Sequence, residues 1–433
     1  MPTQFVPFDD GLADLGPLSD LRASFEQRAG GLSAFERCTL AGAVPEVAVP
    51  AARAALVAER LGVPANGTSE GAILVNGRLH APMTGAARVS IESLAPGCAL
   101  IASDGAVLAL RPHAGGSGAA VRAVAEGRVA DYAASLTAIP SDLFAWSRPW
   151  HLLDGARFGA AIAGDVALAV DGWHAAWLEA VPAHAARVGE HALHVHPTAK
   201  VGVGVVFDCS QGPVFVDAHA EVRHGTVING PAFIGARCIV AERTLVKPFA
   251  AFGPQCRIAG EVGSAIFQAC SNKAHDGHLG DALVGEWVNL GAGTVNSNLL
   301  NTYGEVVMRL RPEGALERTG RQFMGCVLGD HAKLAIGTRI MTGSSVGTGA
   351  MWAAGRAISG AVGPFAWVTD DGERRFLLRK FMEVARTVMA RRAVSPGAAY
   401  VARLEALHCL HNLIDMHKKQ WLQVQMLLRI LIG

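Results

Sequence analysis

The stretch VFVDAHAEVRHGTVINGPAFIGARCIVAERTLVKPFAAFGPQCRI, Val214 to Ile258, decides the fold. Read every sixth residue, it gives Val216, Val222, Ile228, Ile234, Val240, Val246, Phe252 and Ile258, all aliphatic or aromatic. Two residues before each sits a mostly small side chain: Val214, Ala220, Thr226, Ala232, Cys238, Thr244, Ala250 and Cys256. A second run follows at Leu328, Leu334, Ile340, Val346, Trp352 and Ile358. A period of six fits neither the 3.6 of a helix nor the alternation of an amphipathic strand, but it is the spacing of a hexapeptide β-helix. Each hexapeptide forms one face of a triangular coil, the aliphatic residue pointing to the axis and the small one fitting the corner. Coils stack by parallel pairing, so the inward side chains form continuous ladders. Cys238 and Cys256, one eighteen-residue coil apart, are then packing residues.

A solenoid needs its ends covered, because an open coil presents unpaired edges and bare core. Upstream, AILVNGRL (Ala72–Leu79) and AVLAL (Ala106–Leu110) among Gly and Pro turns and Ala-rich stretches predict an α/β domain. Downstream, Leu377, Phe381, Val384 and Val388 have helical spacing, and a second apolar helical stretch runs from Tyr400 to the end. The expected division is 1–185 for the α/β domain, 186–370 for the β-helix and 371–433 for a C-terminal helical cap.

The 433 residues suffice for two or three domains. With 38 Lys+Arg against 37 Asp+Glu and no block of like charges that would follow a phosphate backbone, nucleic acid is not an expected partner. MPTQFVPFDDGL lacks the pattern of a signal peptide, and no run approaches the ~20 apolar residues of a membrane span, so a soluble cytoplasmic protein is expected. The eight cysteines include no C-x-x-C pair, which argues against a zinc ribbon or dithiol redox site.

Between the two runs the ruler fails over Ser271–His278 and returns at Val284 and Leu290, so the polar cluster there is expected at an interruption of the coil. The surrounding KAHDGHLGDALVGEWVNLGAGTVNSNLLNTYG resembles the motif of a bacterial family of sugar nucleotidyltransferases, an alternative form of the bifunctional N-acetylglucosamine-1-phosphate uridyltransferase/glucosamine-1-phosphate N-acetyltransferase. PFDDGLADLGPLSDLRASFEQRAGGLSAFER (Pro7–Arg37) is similar to that family's opening segment. The resemblance implies an N-terminal nucleotidyltransferase-like α/β domain joined to a left-handed parallel β-helix, and a sugar-phosphate transferase: a sugar-1-phosphate nucleotidyltransferase of the UDP-N-acetylglucosamine diphosphorylase type fused to an acetyl-CoA-dependent N-acetyltransferase. It also implies sugar 1-phosphate, nucleoside triphosphate and acyl-CoA substrates, a homotrimer, and Mg²⁺ for an active N-terminal domain.

Carried across residue by residue, the resemblance makes His275 the general base, with Lys273, His278, Asn289 and Asn298 positioning substrate. Lys247, before Pro248, stands where the bifunctional enzyme has its phosphate-binding arginine, keeping the charge without the bidentate fork. That enzyme's second phosphate-binding lysine falls on Gly263 or Ser264 and is missing. A neutral sugar amine must attack a thioester; a histidine of near-neutral pKa can accept its proton while amides hold the oxyanion. For the N-terminal half, family position gives Arg22 and Arg28 as nucleotide-binding candidates, with Ala23 in place of a proline, and Asp9 and Asp10 as Mg²⁺ candidates. The usual G-x-G-x-R and P-K signatures do not occur before Arg37.

Two other readings stand beside this one. His219 and His224 have the H-x4-H spacing of γ-type carbonic anhydrases, in which three imidazoles hold zinc, with His184, His191, His194 and His196 as candidates for the third. The other reading is a catalytically inactive trimeric scaffold, with Asp276, Asp281 and Glu286 as turn caps.

Overall fold

The structure is a computed structural model that describes residues 2–173, 177 and 181–414. The chain builds a five-stranded α/β sheet, then a parallel β-solenoid, then helices. The first sheet holds β1 (Phe5–Phe8), β2 (Ile73–Asn76), β3 (Cys98–Ala102), β4 (Val107–Arg111) and β5 (Thr137–Ser141), in the order β1-β2-β4-β3-β5. The β1/β2 and β3/β5 pairs are parallel; β2/β4 and β3/β4 are antiparallel.

The solenoid has three faces. The first carries Val227–Asn229 and Leu245–Val246, the second Ala232–Ile234 and Ala250–Phe252, the third Ile239–Val240 and Arg257–Ile258. All eight ladder residues from Val216 to Ile258 are at most 1% exposed, and so are the eight small residues before them. Burying each such Val or Ile side chain is worth about 1.5–3 kcal/mol. Cys238 and Cys256 lie in this core.

Coil length locates the irregularity. Glu221, Ile239 and Arg257 are in register at intervals of eighteen, but Asn272 follows Arg257 after fifteen and Asn289 follows Asn272 after seventeen. At the corner from third to first face, Val240 and Val246 stand six residues apart, as do Lys273 and Leu279, whereas Ile258 and Val262 stand only four apart. The shortened corner is therefore Ala259–Gly260, one coil before the polar cluster. The corner Ala274–Gly277 has the ordinary length and projects past it, corrected from the expected interruption at Ser271–His278. Ser264 and Asp281, both with positive φ, each turn the next corner in a single residue within the continuous strands Glu261–Phe267 and His278–Val284.

The ends are not what the added domains mainly cover. Phe215, Phe233, Ala251, Ile266, Leu283 and Val327 succeed one another along the outside of the second face. They are buried in one core with β2, β3 and the helix Gly155–Trp173. Phe215 stacks on Phe233 at 4.5 Å between ring centroids, with Trp173 5.7 Å from Phe215. The α/β domain thus lies along the flank of the solenoid.

Downstream, Gly372–Arg375 pairs antiparallel with Ala366–Thr369 and ends the third-face sheet. Helix Leu378–Ala390 packs Phe381, Met382, Ala385 and Met389 against Trp287, Phe365 and Phe376. Leu377, expected on its apolar face, is instead the exposed residue before the helix, while Val384 and Val388 are half-buried. A second helical segment runs from 398 to 414; the rest of the predicted C-terminal stretch lies outside the described residues. Among the described residues no helix is long and apolar enough to cross a membrane.

Candidate functional site

On the outside of the first face, three successive coils bring Lys247, Glu261 and His278 together. Register sets Glu261 beside His278 and Gly263 beside Gly280. The Lys247 ammonium pairs with the Glu261 carboxylate, and His278 Nδ1 lies 3.4 Å from the same oxygen. Lys247, chiefly through its hydrogen bond, holds the Glu261 carboxyl below the usual carboxylate range. One residue past Gly280, Asp281 Oδ2 accepts from Asn298 Nδ2 at 2.7 Å; its Oδ1 accepts from Ser264 Oγ at 2.9 Å and faces Arg321 Nη2 at 4.0 Å.

Two glycines make room for this cluster. A Cβ at Gly263 would stand 2.4 Å from Lys247 Cβ; one at Gly280 would stand 2.7 Å from His278 Nε2 and 3.0 Å from Asn298 Nδ2. The place of the missing lysine is thus the space over which Lys247 folds. Beneath, the buried Asn296 amide is locked to the Gly280 backbone, accepting from its N–H and donating to its carbonyl, each at 2.8 Å.

His275 is exposed on the projecting corner, three residues before His278. Lys273 is not beside it in solvent. It takes the inward ladder place between Ile258 and Leu290, is 2% exposed, and sends its ammonium to the carbonyls of Ala259 at 3.0 Å and His275 at 2.8 Å. Its stem completes the apolar ladder while its head ties the projecting corner to the shortened one below. Burial pulls the ammonium down to about 8, with Asp276 opposing. Asn289 is on the third face, in register with Asn272 and Lys333, away from the Lys247–His278 row.

The site is closed from the far side by the insertion between Asn296 and Cys326, which supplies Asn298 and Arg321 and carries the hairpin Val307–Met308/Glu317–Arg318. Glu261 and Arg321 were not singled out in the sequence. Glu261 could have been, since it aligns with His278 once the shortened coil is recognised; Arg321 reaches the site through an insertion that has no repeat.

The N-terminal candidates are placed differently from the expectation. Arg22, 1% exposed, pairs with Asp330 and reaches Glu286 at 3.4 Å, clamping its segment to the solenoid. Arg28 donates to the Gln268 carbonyl at 3.0 Å and to Glu36 at 2.7 Å, a second such tie. Asp10 is held by Arg78 at 2.6 Å and Asn76 at 2.9 Å. Asp9 faces a cavity of about 30 Å³ shared with Arg22, Arg53 and Trp146, large enough for about one water. With one carboxylate committed to an arginine and the other facing two arginines, these residues do not fit Mg²⁺. Arg22 and Arg28 tie the N-terminal segment to the solenoid.

His219 and His224 flank the third-face strand Glu221–Val222, and His224 Nδ1 accepts from the Val203 N–H at 2.9 Å. Among the described residues no three His, Cys, Asp or Glu side chains gather as a metal site would require.

No family model matches the chain. Over 155 residues, 35% of this chain, it is 32% identical to a bifunctional sugar-1-phosphate nucleotidylyltransferase/acetyltransferase of Sulfurisphaera tokodaii; the match spans 38% of that protein's length. Among solved structures, the UDP-N-acetylglucosamine acyltransferase of Francisella novicida is similar over 50% of this chain and 75% of its own, with 14% identity and a TM-score of 0.30. An N-acyltransferase from Bacillus cereus, solved with dTDP and coenzyme A, covers 48% of this chain and 91% of its own at 9% identity and a TM-score of 0.13. At these scores the two structural likenesses carry no weight for function. The sequence match supports the resemblance to bifunctional sugar-1-phosphate nucleotidylyltransferase/acetyltransferases.

Proposed function

We propose that the chain transfers an acyl group, acetyl from acetyl-CoA in the simplest case, to the amine of a sugar phosphate, with His275 as the general base. The amine nitrogen attacks the thioester carbonyl and forms the new N–C bond, its proton passes to the imidazole, and the C–S bond breaks to release CoA thiolate, which takes that proton from the imidazolium and leaves as the thiol. The observation that carries this reading is the first-face row of Lys247, Glu261, His278, Asp281 and Asn298, with the His275 corner projecting beside it. In this reading the Lys247 ammonium exchanges its Glu261 partner for the phosphate, and the second Asn298 N–H and the His278 Nε2 hydrogen-bond sugar hydroxyls. Lys273 acts through the corner that it anchors, as a positioning residue. The exposed side of the row is where a second subunit of a homotrimer would close the acyl-CoA site, and the subunit number by light scattering tests that part. In this reading the N-terminal domain supports the solenoid: its family candidates are ion-paired structural ties.

The test screens CoA-thiol release from acyl-CoAs against a panel of amino-sugar phosphates, beside pyrophosphate release from UTP or dTTP with sugar 1-phosphates. Thiol release dependent on an amino sugar supports the reading. Pyrophosphate release without thiol release would replace it with nucleotidyl transfer.

A further inference from the structure

A second polar concavity lies on the third face, between the solenoid and the C-terminal end of helix Leu378–Ala390. Its volume is about 270 Å³, and Arg257, Asn272, Trp287, Lys333, Arg391 and Arg392 line it. Three guanidinium groups and the Lys333 amine, which burial pulls down to about 7 with Asp330 opposing, line it together. Burial, and then the neighbouring Arg392, Arg391 and Arg223, pull the Arg257 guanidinium down. Arg392 donates to the neutral Asn272 amide at 3.0 Å. The Lys333 ammonium donates to the carbonyls of Trp287 and His331. The carboxylate nearest in effect, Asp330, is already paired with Arg22. Among the described residues, no ion pair to Arg257, Arg391 or Arg392 is formed.

A helix C-terminus favours basic residues, so the helix dipole accounts for Arg391 and Arg392 following Ala390. It does not account for Arg257 and Lys333, which face them from the solenoid coils. Like charges held in a partly enclosed space are unfavourable unless an anion joins them, and guanidinium groups match the tetrahedral oxygens of a phosphoryl group. We propose that this concavity is a binding site for a phosphorylated small molecule, with Arg257, Lys333, Arg391 and Arg392 holding one phosphoryl or pyrophosphoryl group. The site is separate from the Lys247–His278 row and does not depend on the reaction assigned to it. Three sources share this chemistry: free pyrophosphate, the adenosine 3′,5′-bisphosphate part of an acyl-CoA, and a sugar 1-phosphate.

Isothermal titration of the full chain with pyrophosphate, with adenosine 3′,5′-bisphosphate and with glucosamine 1-phosphate tests the proposal. Binding of any of them is expected to weaken about tenfold or more in Arg391→Ala and in Arg257→Ala, since each removes a charge-assisted contact. Whichever of the three binds most tightly identifies the source. Arg391 is exposed, so its replacement leaves the core untouched. Absence of binding by all three, or equal binding by wild type and both variants, would overturn the proposal.

Discussion

The Lys273 ammonium donates to the carbonyl of His275, two residues ahead, at 2.8 Å, while its carbon chain fills the solenoid ladder. One side chain thus couples the core to the corner carrying the proposed base. An unfolded lysine titrates near 10.5, and burial brings this one to about 8. A depressed folded pKa means that the unfolded chain binds more protons between those values, so stability rises with pH from about 8 to 10.5. The interval corresponds to roughly 3 kcal/mol. Lys273→Met is therefore expected to lose this gain: the melting difference between wild type and variant should shift in favour of wild type from pH 7 to pH 10. A difference independent of pH would place the ammonium in solvent.

Arg22 and Asp330 meet 308 residues apart in sequence, both buried. Burial pushes the Asp330 carboxyl up and Arg22 pulls against it. Removing one partner leaves a buried carboxylate uncompensated, so Arg22→Ala should cost about 3–5 kcal/mol in denaturant unfolding. A variant as stable as wild type but weakened in nucleotide binding would restore the nucleotide-binding role implied by family position.

Gly280 leaves the space in which His278 and Asn298 converge. Its φ is not in the left-handed region, so Gly280→Ala strains contacts rather than backbone. The methyl group displaces the ends of two flexible side chains, and stability should change little. The KM for the amino-sugar phosphate should rise about tenfold, as expected for disturbing a positioned polar contact. A fall in stability with KM unchanged would make the Gly280–Asn298 region structural.

The solenoid was legible because its ladder repeats a local rule: each of Val216 to Ile258 is apolar for the same reason and is buried as that rule requires. The flank on which the α/β domain rests was also written there, in Phe215, Phe233 and Ala251 at eighteen-residue intervals, but one outward apolar residue per coil is easily taken for noise. The position of the irregularity was misplaced by one coil because Lys273, a charged residue, occupies a ladder place; its stem does the packing that an aliphatic residue does elsewhere. Lys247, His278 and Asn298 converge as a motif alignment would have them, whereas Asn289 lies on another face, a separation that only the coil geometry reveals. Arg22, Arg28 and Asp10 kept their residue types but found ion-pair or backbone partners, which sequence position does not disclose.

The initial rate of CoA-thiol release by His275→Ala, with the amino-sugar phosphate preferred by the wild-type chain, tests the central claim most directly. His275 is exposed and its ring holds no part of the core, so the variant should melt as wild type does. The account predicts a loss of about 10²–10⁴-fold in kcat. Wild-type turnover in a correctly folded His275→Ala protein would contradict it.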